Sequence, residues 1–195
     1  MTDPRSLRIL GIDPGLCNVG VAVVDVAGHW PDVAYSLVDA RVFSTKPEHG
    51  KRGGTMCTDD ARRVGYLYSS LRGVISAYKP DLIGLEETSG SRSARSGAAM
   101  ARGHTLALCA VLSATTKRAI EISVAAAKEA ATGAQGAGKD LVRDLVIARV
   151  NGVAFTDALR GVANTKREHA FDAAAIAMAV ARRDIARVLL AERAR

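Results

Sequence analysis

Aromatic side chains make up only 4% of the 195 residues, which excludes a broad aromatic platform as the means of gripping a ligand. Cysteine is scarce too. Cys17, Cys57 and Cys109 are odd in number and form no CxxC pair, which argues against a zinc knuckle or a disulfide framework. No base or orienting group is visible beside Cys17, so a thiol nucleophile is not indicated and the cysteines read as structural. No run of 18 uncharged apolar residues occurs, and Met1-Thr2-Asp3-Pro4 lacks a basic-then-apolar signal. The expectation is a soluble, reduced, cytoplasmic protein with no membrane partner. Acids are the scarcer charge, 20 against 27 lysines and arginines, giving a net charge of +7. That balance favours a polyanionic partner, nucleic acid ahead of an anionic membrane surface.

What is present is ordinary globular composition, 48% hydrophobic and 24% charged, and the expectation is one domain over residues 1–195. LRILGID (7–13), stopped by Pro14-Gly15, reads as a buried strand running into a tight turn. VGVAVVDV (19–26) and residues 33–43 are the next strands, close enough to pair as antiparallel hairpins. Residues 44–57 hold glycines, a proline and basic residues without periodicity, and are expected to form a flexible basic loop. Thr58 is placed to cap a helix with Asp59 and Asp60 in its first turn, ending before Pro80. DLIGLE (81–86) is a fourth strand, SGSRSARSG (89–97) a polar loop, 97–115 a helix, and AIEISV (119–124) a fifth strand. The rest reads as helical, with breaks at 133–138 and 151–166 and a basic helix or tail over 184–195. Antiparallel strands followed by strands alternating with helices predict an α/β mixed sheet flanked by helices.

Three acids stand out. Asp13 ends a buried strand, at the sheet edge where ligands sit in open α/β sheets, although Asp-Pro-Gly is also good turn chemistry. Glu86 and Glu87 end the fourth strand, and alternation lets only one of them face the side of Asp13. Asp172 is the only acid in HAFDAAAIAMAVA (169–181), and an unpaired carboxylate in so apolar a helix is costly unless it holds a cation. His169 lies three residues earlier on the same helical face. The alternative is that His169 and Asp172 are the last wet residues of an N-terminal turn. Three carboxylates and one histidine suit hard divalent cations, as in two-metal phosphodiester hydrolysis, better than zinc alone.

ILGIDPG (9–15), LIGLEE (82–87), AAAKEAATG (125–133) and HAFDAAAIA (169–177), in this order, resemble the RuvC-type Holliday junction resolvases of the RNase H-like fold. The resemblance implies a five-stranded mixed sheet and a homodimeric crossover junction endodeoxyribonuclease that nicks four-way DNA junctions symmetrically. It implies two Mg²⁺ ions per site, with Mn²⁺ able to substitute. By position, Asp13, Glu86 and Asp172 match the metal-holding acids of the family. His169 falls where many members have a further aspartate, and Lys128 and Lys139 match two lysines that approach the DNA backbone. Two departures are visible. Ser89 stands where the family commonly has an aromatic residue acting at the junction centre, and loop 44–57 is longer than usual. Both are features of divergent phage and mobile-element relatives that cut a wider range of branched DNA.

Arg92, Arg95 and Arg102 follow Glu86 closely and could line the groove beside it, positioning phosphates rather than reading bases. The C-terminal arginines Arg182, Arg183, Arg187, Arg193 and Arg195 read as a solvated helix face. His29, His49 and His104 carry no motif. The rival readings are an actin-like ATP-binding domain, a catalytically impaired binder of branched DNA, and a general RNase H.

Overall fold

The computed structural model of the protein describes residues 5–48, 56–88, 94–150 and 152–194. Strand β1 (Leu7–Asp13) lies in the middle of the sheet. Its apolar residues are buried on both faces, the property that lets an uninterrupted LRILGI run form a central strand. β2 (Asn18–His29) pairs with it antiparallel and turns into β3 (Asp32–Ser44), the outer strand of that hairpin. β4 (Leu82–Glu86) and β5 (Ala119–Ile122) add on the other side in parallel. The resulting five-stranded mixed sheet has the order β3-β2-β1-β4-β5.

Two helices, α1 (Met56–Tyr78) and α2 (Ala94–Ala114), cover one face over Leu10, Ile12, Val21, Val23, Ile83 and Leu85. The opposite face carries α3 (Val124–Thr132), α4 (Lys139–Arg149), α5 (Gly152–Ala158), α6 (Asn164–Ala181) and α7 (Asp184–Arg193). Among these α6 is the central one, buried from Ala173 to Ala181. Its alanines favour helix, and they are small enough for the backbone to come close to the sheet.

The sheet answers with a row of glycines. A Cβ on Gly11 of β1 would stand 1.9 Å from the carbonyl oxygen of Ala173, and one on Gly20 of β2 would stand 2.0 Å from that of His169. On β4, a Cβ at Gly84 would meet methyl groups of Val180 and Ile176 at 2.6 and 2.8 Å. Gly11 and Gly84 are register partners in the β1–β4 pair. Only glycine permits this depth of contact, and the depth brings the polar half of α6 down onto the ends of β1 and β4.

Several local expectations need correction. α1 begins at Met56, so Thr58 lies inside its first turn and is not the cap. α2 begins at Ala94, making the end of the 89–97 segment helical. β5 stops at Ile122 because Ser123 caps α3, its Oγ accepting from the Ala126 N–H. The 151–166 stretch is not a loose connection: it holds α5, anchored by buried Phe155 against Phe171, and the start of α6. At the start of loop 44–57, Thr45 is tied down, its hydroxyl donating to the Leu16 carbonyl at 2.6 Å. The C-terminal arginines are not a merely solvated face. Arg182 and Arg187 lie over the Trp30 ring, and Arg193 pairs with Asp81 at 2.7 Å. Cys109 is exposed, and Cys17, also exposed, keeps a structural contact, its Sγ accepting from Arg63 Nη2 at 3.3 Å. No helix among the described residues is long and apolar enough to cross a membrane.

Candidate active site

Strand alternation decides which acids meet. Leu7, Ile9, Gly11 and Asp13 share the face of β1 that α6 covers, and Leu82, Gly84 and Glu86 share that face of β4. Asp13 and Glu86 therefore stand two residues beyond the paired glycines, at the carboxyl ends of adjacent parallel strands. Glu87 is exposed, and its backbone N–H continues the β5 ladder to the Ile122 carbonyl. Opposite Asp13 the register places Gly20, whose missing side chain leaves room for His169.

His169 and Asp172 come from the second and third turns of α6, which starts at Asn164. They are thus not the last wet residues of a first turn. His169 Nδ1 meets Asp13 Oδ2 at 2.6 Å. That bond, ahead of all other influences, raises the imidazole above its ordinary pKa. Burial is the main force on the two remaining acids. With the charges of Asp13 and Asp172 it pushes the Glu86 carboxyl up to about 7. With the charge of Asp13 it pushes Asp172 up to about 6, against the opposing pull of Lys139 and His169. Among the described residues no three acidic, imidazole or thiol groups close on a common point. The four side chains instead share one field in which the carboxylates oppose each other's ionisation.

The donor set suits a divalent cation. It offers hard carboxylate oxygens and one imidazole, and its crowded negative charge is the kind that a bound cation relieves. Asp13, Glu86 and Asp172 are the residues that could hold it, with His169 within reach through Asp13.

Of the expected basic residues that are described, Lys139 is the one whose charge reaches the carboxylates. It opens α4, its Nζ lies 2.9 Å from Glu168 Oε2, and its charge is felt at Asp172. Lys128 is half-buried on α3 and is not among the charges that shift Glu86 or Asp172. Arg102 turns to α1, pairing with Asp60 at 2.7 Å, and so does not line a groove beside Glu86. Arg92, the side chain of Arg95, and Ser89 lie outside the described residues.

Two neighbours were not foreseen. Glu168 is the partner of Lys139, and its place beside His169 in REHAFD was the available signal. His104 of α2 is buried behind β4, with Nδ1 3.1 Å from the Glu86 carbonyl and Nε2 3.1 Å from Glu121. It pins the backbone from which the Glu86 carboxyl springs. Nothing in the sequence around it announces this.

Comparison with known proteins identifies the family. The family model described as crossover junction endodeoxyribonuclease RuvC matches residues 9–181. A RuvC of Polynucleobacter necessarius is 32% identical over 168 residues, 84% of this chain and 90% of that protein. A RuvC of Polynucleobacter asymbioticus is 29% identical over 180 residues, 90% and 96% of the two chains. Among solved structures, Thermus thermophilus RuvC in complex with a Holliday junction substrate superposes with a TM-score of 0.71 at 23% identity, covering 93% of this chain and 96% of that one. The yeast mitochondrial Holliday junction resolvase superposes with a TM-score of 0.63 at 14% identity, covering 95% and 81%. The shared architecture is the RNase H-like fold.

Proposed function

The chain belongs to the RuvC family of crossover junction endodeoxyribonucleases, and from that premise we propose that it resolves four-way DNA junctions as a homodimer, using Mg²⁺ held by Asp13, Glu86 and Asp172. The single observation that carries the reading is that Asp13 and Glu86, at the ends of β1 and β4, and Asp172 on α6 lie close enough to oppose each other's ionisation, beside a lysine. The chain's net charge of +7 suits the polyanionic substrate.

When bound, two divalent cations supply the charge that activates water and stabilises the departing oxygen of a phosphodiester. The chain's own residues set the stage for this. Glu86 and Asp172 are held partly protonated near neutrality by burial and mutual repulsion, so cation binding displaces protons from them. His169, fixed by Asp13, serves as a further ligand or hands a proton across the site. Lys139, exposed and paired with Glu168 at the surface, exchanges that partner for a phosphate oxygen of the DNA. Lys128, Arg92 and Arg95 are assigned to the flanking backbone, and the protein works in the cytoplasm on cellular DNA.

Purified protein with Mg²⁺ is offered labelled four-way junction, fork, flap, linear duplex and RNA–DNA hybrid. Paired symmetric nicks in the four-way junction are expected, with Asp13→Asn slowing them by about 100-fold or more. Preferential cutting of the hybrid, or binding of junctions without cleavage in Mg²⁺ or Mn²⁺, overturns the reading.

A further inference from the structure

The surface beside the carboxylates continues as a cleft along α4 and α6. Its outer part, about 120 Å³, is walled by Lys139, Asp140, Glu168 and Asp172. Beyond it lies a pocket of about 270 Å³ between α4, α5 and α6, lined by Ile147, Phe155, Thr156, Leu159 and Arg167. The two share Arg143, Asn164 and Phe171, so the inner pocket opens directly onto the catalytic cleft.

Its chemistry is divided. The floor is apolar, built from Leu159 and the Phe155–Phe171 pair, whose rings are 4.8 Å apart and tilted by 36°. The rim is polar. Asn164 is exposed and carries both a donor and an acceptor, and Arg167 is held in place by its Nε bond to the Val162 carbonyl at 2.8 Å. A bare phosphate has no use for such a floor, and the volume falls near the lower end of small-ligand pockets, ~300 Å³. A single planar heterocycle with polar edges fits both halves.

We propose that this pocket receives one nucleobase of the strand being cut and thereby sets a cleavage-sequence preference, an inference that rests on the junction-cleaving reading above. The carboxamide of Asn164 is suited to the donor–acceptor edge of adenine, which makes adenine the expected base. Asn164 and Asp172 are eight residues apart on α6, ~12 Å along the axis, which spans roughly three or four stacked nucleotides. The base enters from the crossover region of a junction, where extrusion from a stack costs least.

The test uses the full chain and a pool of four-way junctions randomised around the crossover, sequenced after cutting in Mg²⁺. Wild type is expected to favour adenine at one position within four nucleotides of the nick, by about fivefold or more over the other bases. Asn164→Ala and Thr156→Trp, the second filling the pocket from its exposed rim, are expected to reduce that ratio below twofold and to slow cutting of preferred junctions to the rate of non-preferred ones. A second readout needs no cleavage. Asp13→Asn protein in Ca²⁺ should change the fluorescence of 2-aminopurine placed at that position, and adding Thr156→Trp should abolish the change. Junction cutting by wild type without base preference, or a preference unaltered in both variants, overturns the pocket and leaves the resolvase reading standing. Absence of branched-DNA cutting overturns the resolvase reading and the sequence preference with it.

Discussion

At the scale of single residues, the site is a balance between burial and charge. Glu86 and Asp172 sit where burial opposes ionisation, and each also feels Asp13. In the unfolded chain such carboxyls titrate near 4. Here they do so at about 7 and about 6. The folded state therefore holds protons that the unfolded state has released, and stability must fall as pH rises through this window. His169, raised by Asp13, acts in the same direction. The metal-free protein is expected to lose stability on the order of 3 kcal/mol between pH 5 and pH 8, a fall of roughly 5–10 °C in Tm. Mg²⁺ should restore most of that loss at pH 8 and little at pH 5. The double variant Glu86→Gln/Asp172→Asn should melt higher than wild type at pH 8 without metal and show a much flatter pH profile. Thermal melts across pH, with EDTA and with Mg²⁺, check this; a wild-type Tm that climbs from pH 5 to pH 8 in EDTA would sink it.

At the scale of elements, the decisive contact is α6 on the glycine row. Because backbone meets backbone at Gly11, an added methyl has no flexible side chain to push aside. Gly11→Ala is expected to cost about 3 kcal/mol or more, at the upper end of overpacking penalties, seen as a lowered denaturant midpoint or loss of soluble protein. Gly20→Ala presses on the His169 backbone and Cβ. It should reduce junction cleavage more than tenfold even in preparations that remain folded, as judged by circular dichroism. Full activity in folded Gly20→Ala protein would show that His169 need not be held where it is. The glycines also explain what could and could not be read in advance. The central strands were legible because apolar runs buried on both faces end at Pro-Gly or at an acid, and the acids at those ends are the ones that meet. Helix starts were less so: Thr58 lies within α1, although its local chemistry suits a cap. α5 escaped because only Phe155 of its seven residues is buried, too little for a visible period. Arg102 was misplaced because its partner, Asp60, is 42 residues away, a pairing that only the packing of α1 against α2 creates.

At the scale of the whole molecule, part of the positive charge is paired within the fold, and a net charge of +7 remains. Arg8 binds Asp25, Arg41 binds Asp39, Arg143 binds Asp140 and Asp144, and Arg193 binds Asp81. These pairs tie parts of the scaffold together, while other cations, Lys128 and Lys166 among them, remain available to phosphate. Lys139 matters because its charge is felt at Asp172. Its ion pair with Glu168 is exposed on both sides, 72% and 41%, and such pairs are weak enough to be exchanged. Junction affinity should therefore fall with salt, in proportion to the phosphates contacted. Replacing Lys139 by Gln should lower the log–log slope by about 1, with cleavage of a bound junction slowed as well because the contact lies beside Asp172. Arg143→Gln should change the slope less, since Arg143 would have to give up two aspartates where Lys139 gives up one glutamate. Fluorescence anisotropy of labelled junction in Ca²⁺, from 50 to 300 mM KCl, separates the two variants. Equal slopes for wild type and Lys139→Gln would mean that Lys139 stays with Glu168 when DNA binds, and the phosphate contact would then have to be sought on Lys128 or the arginines near residue 92.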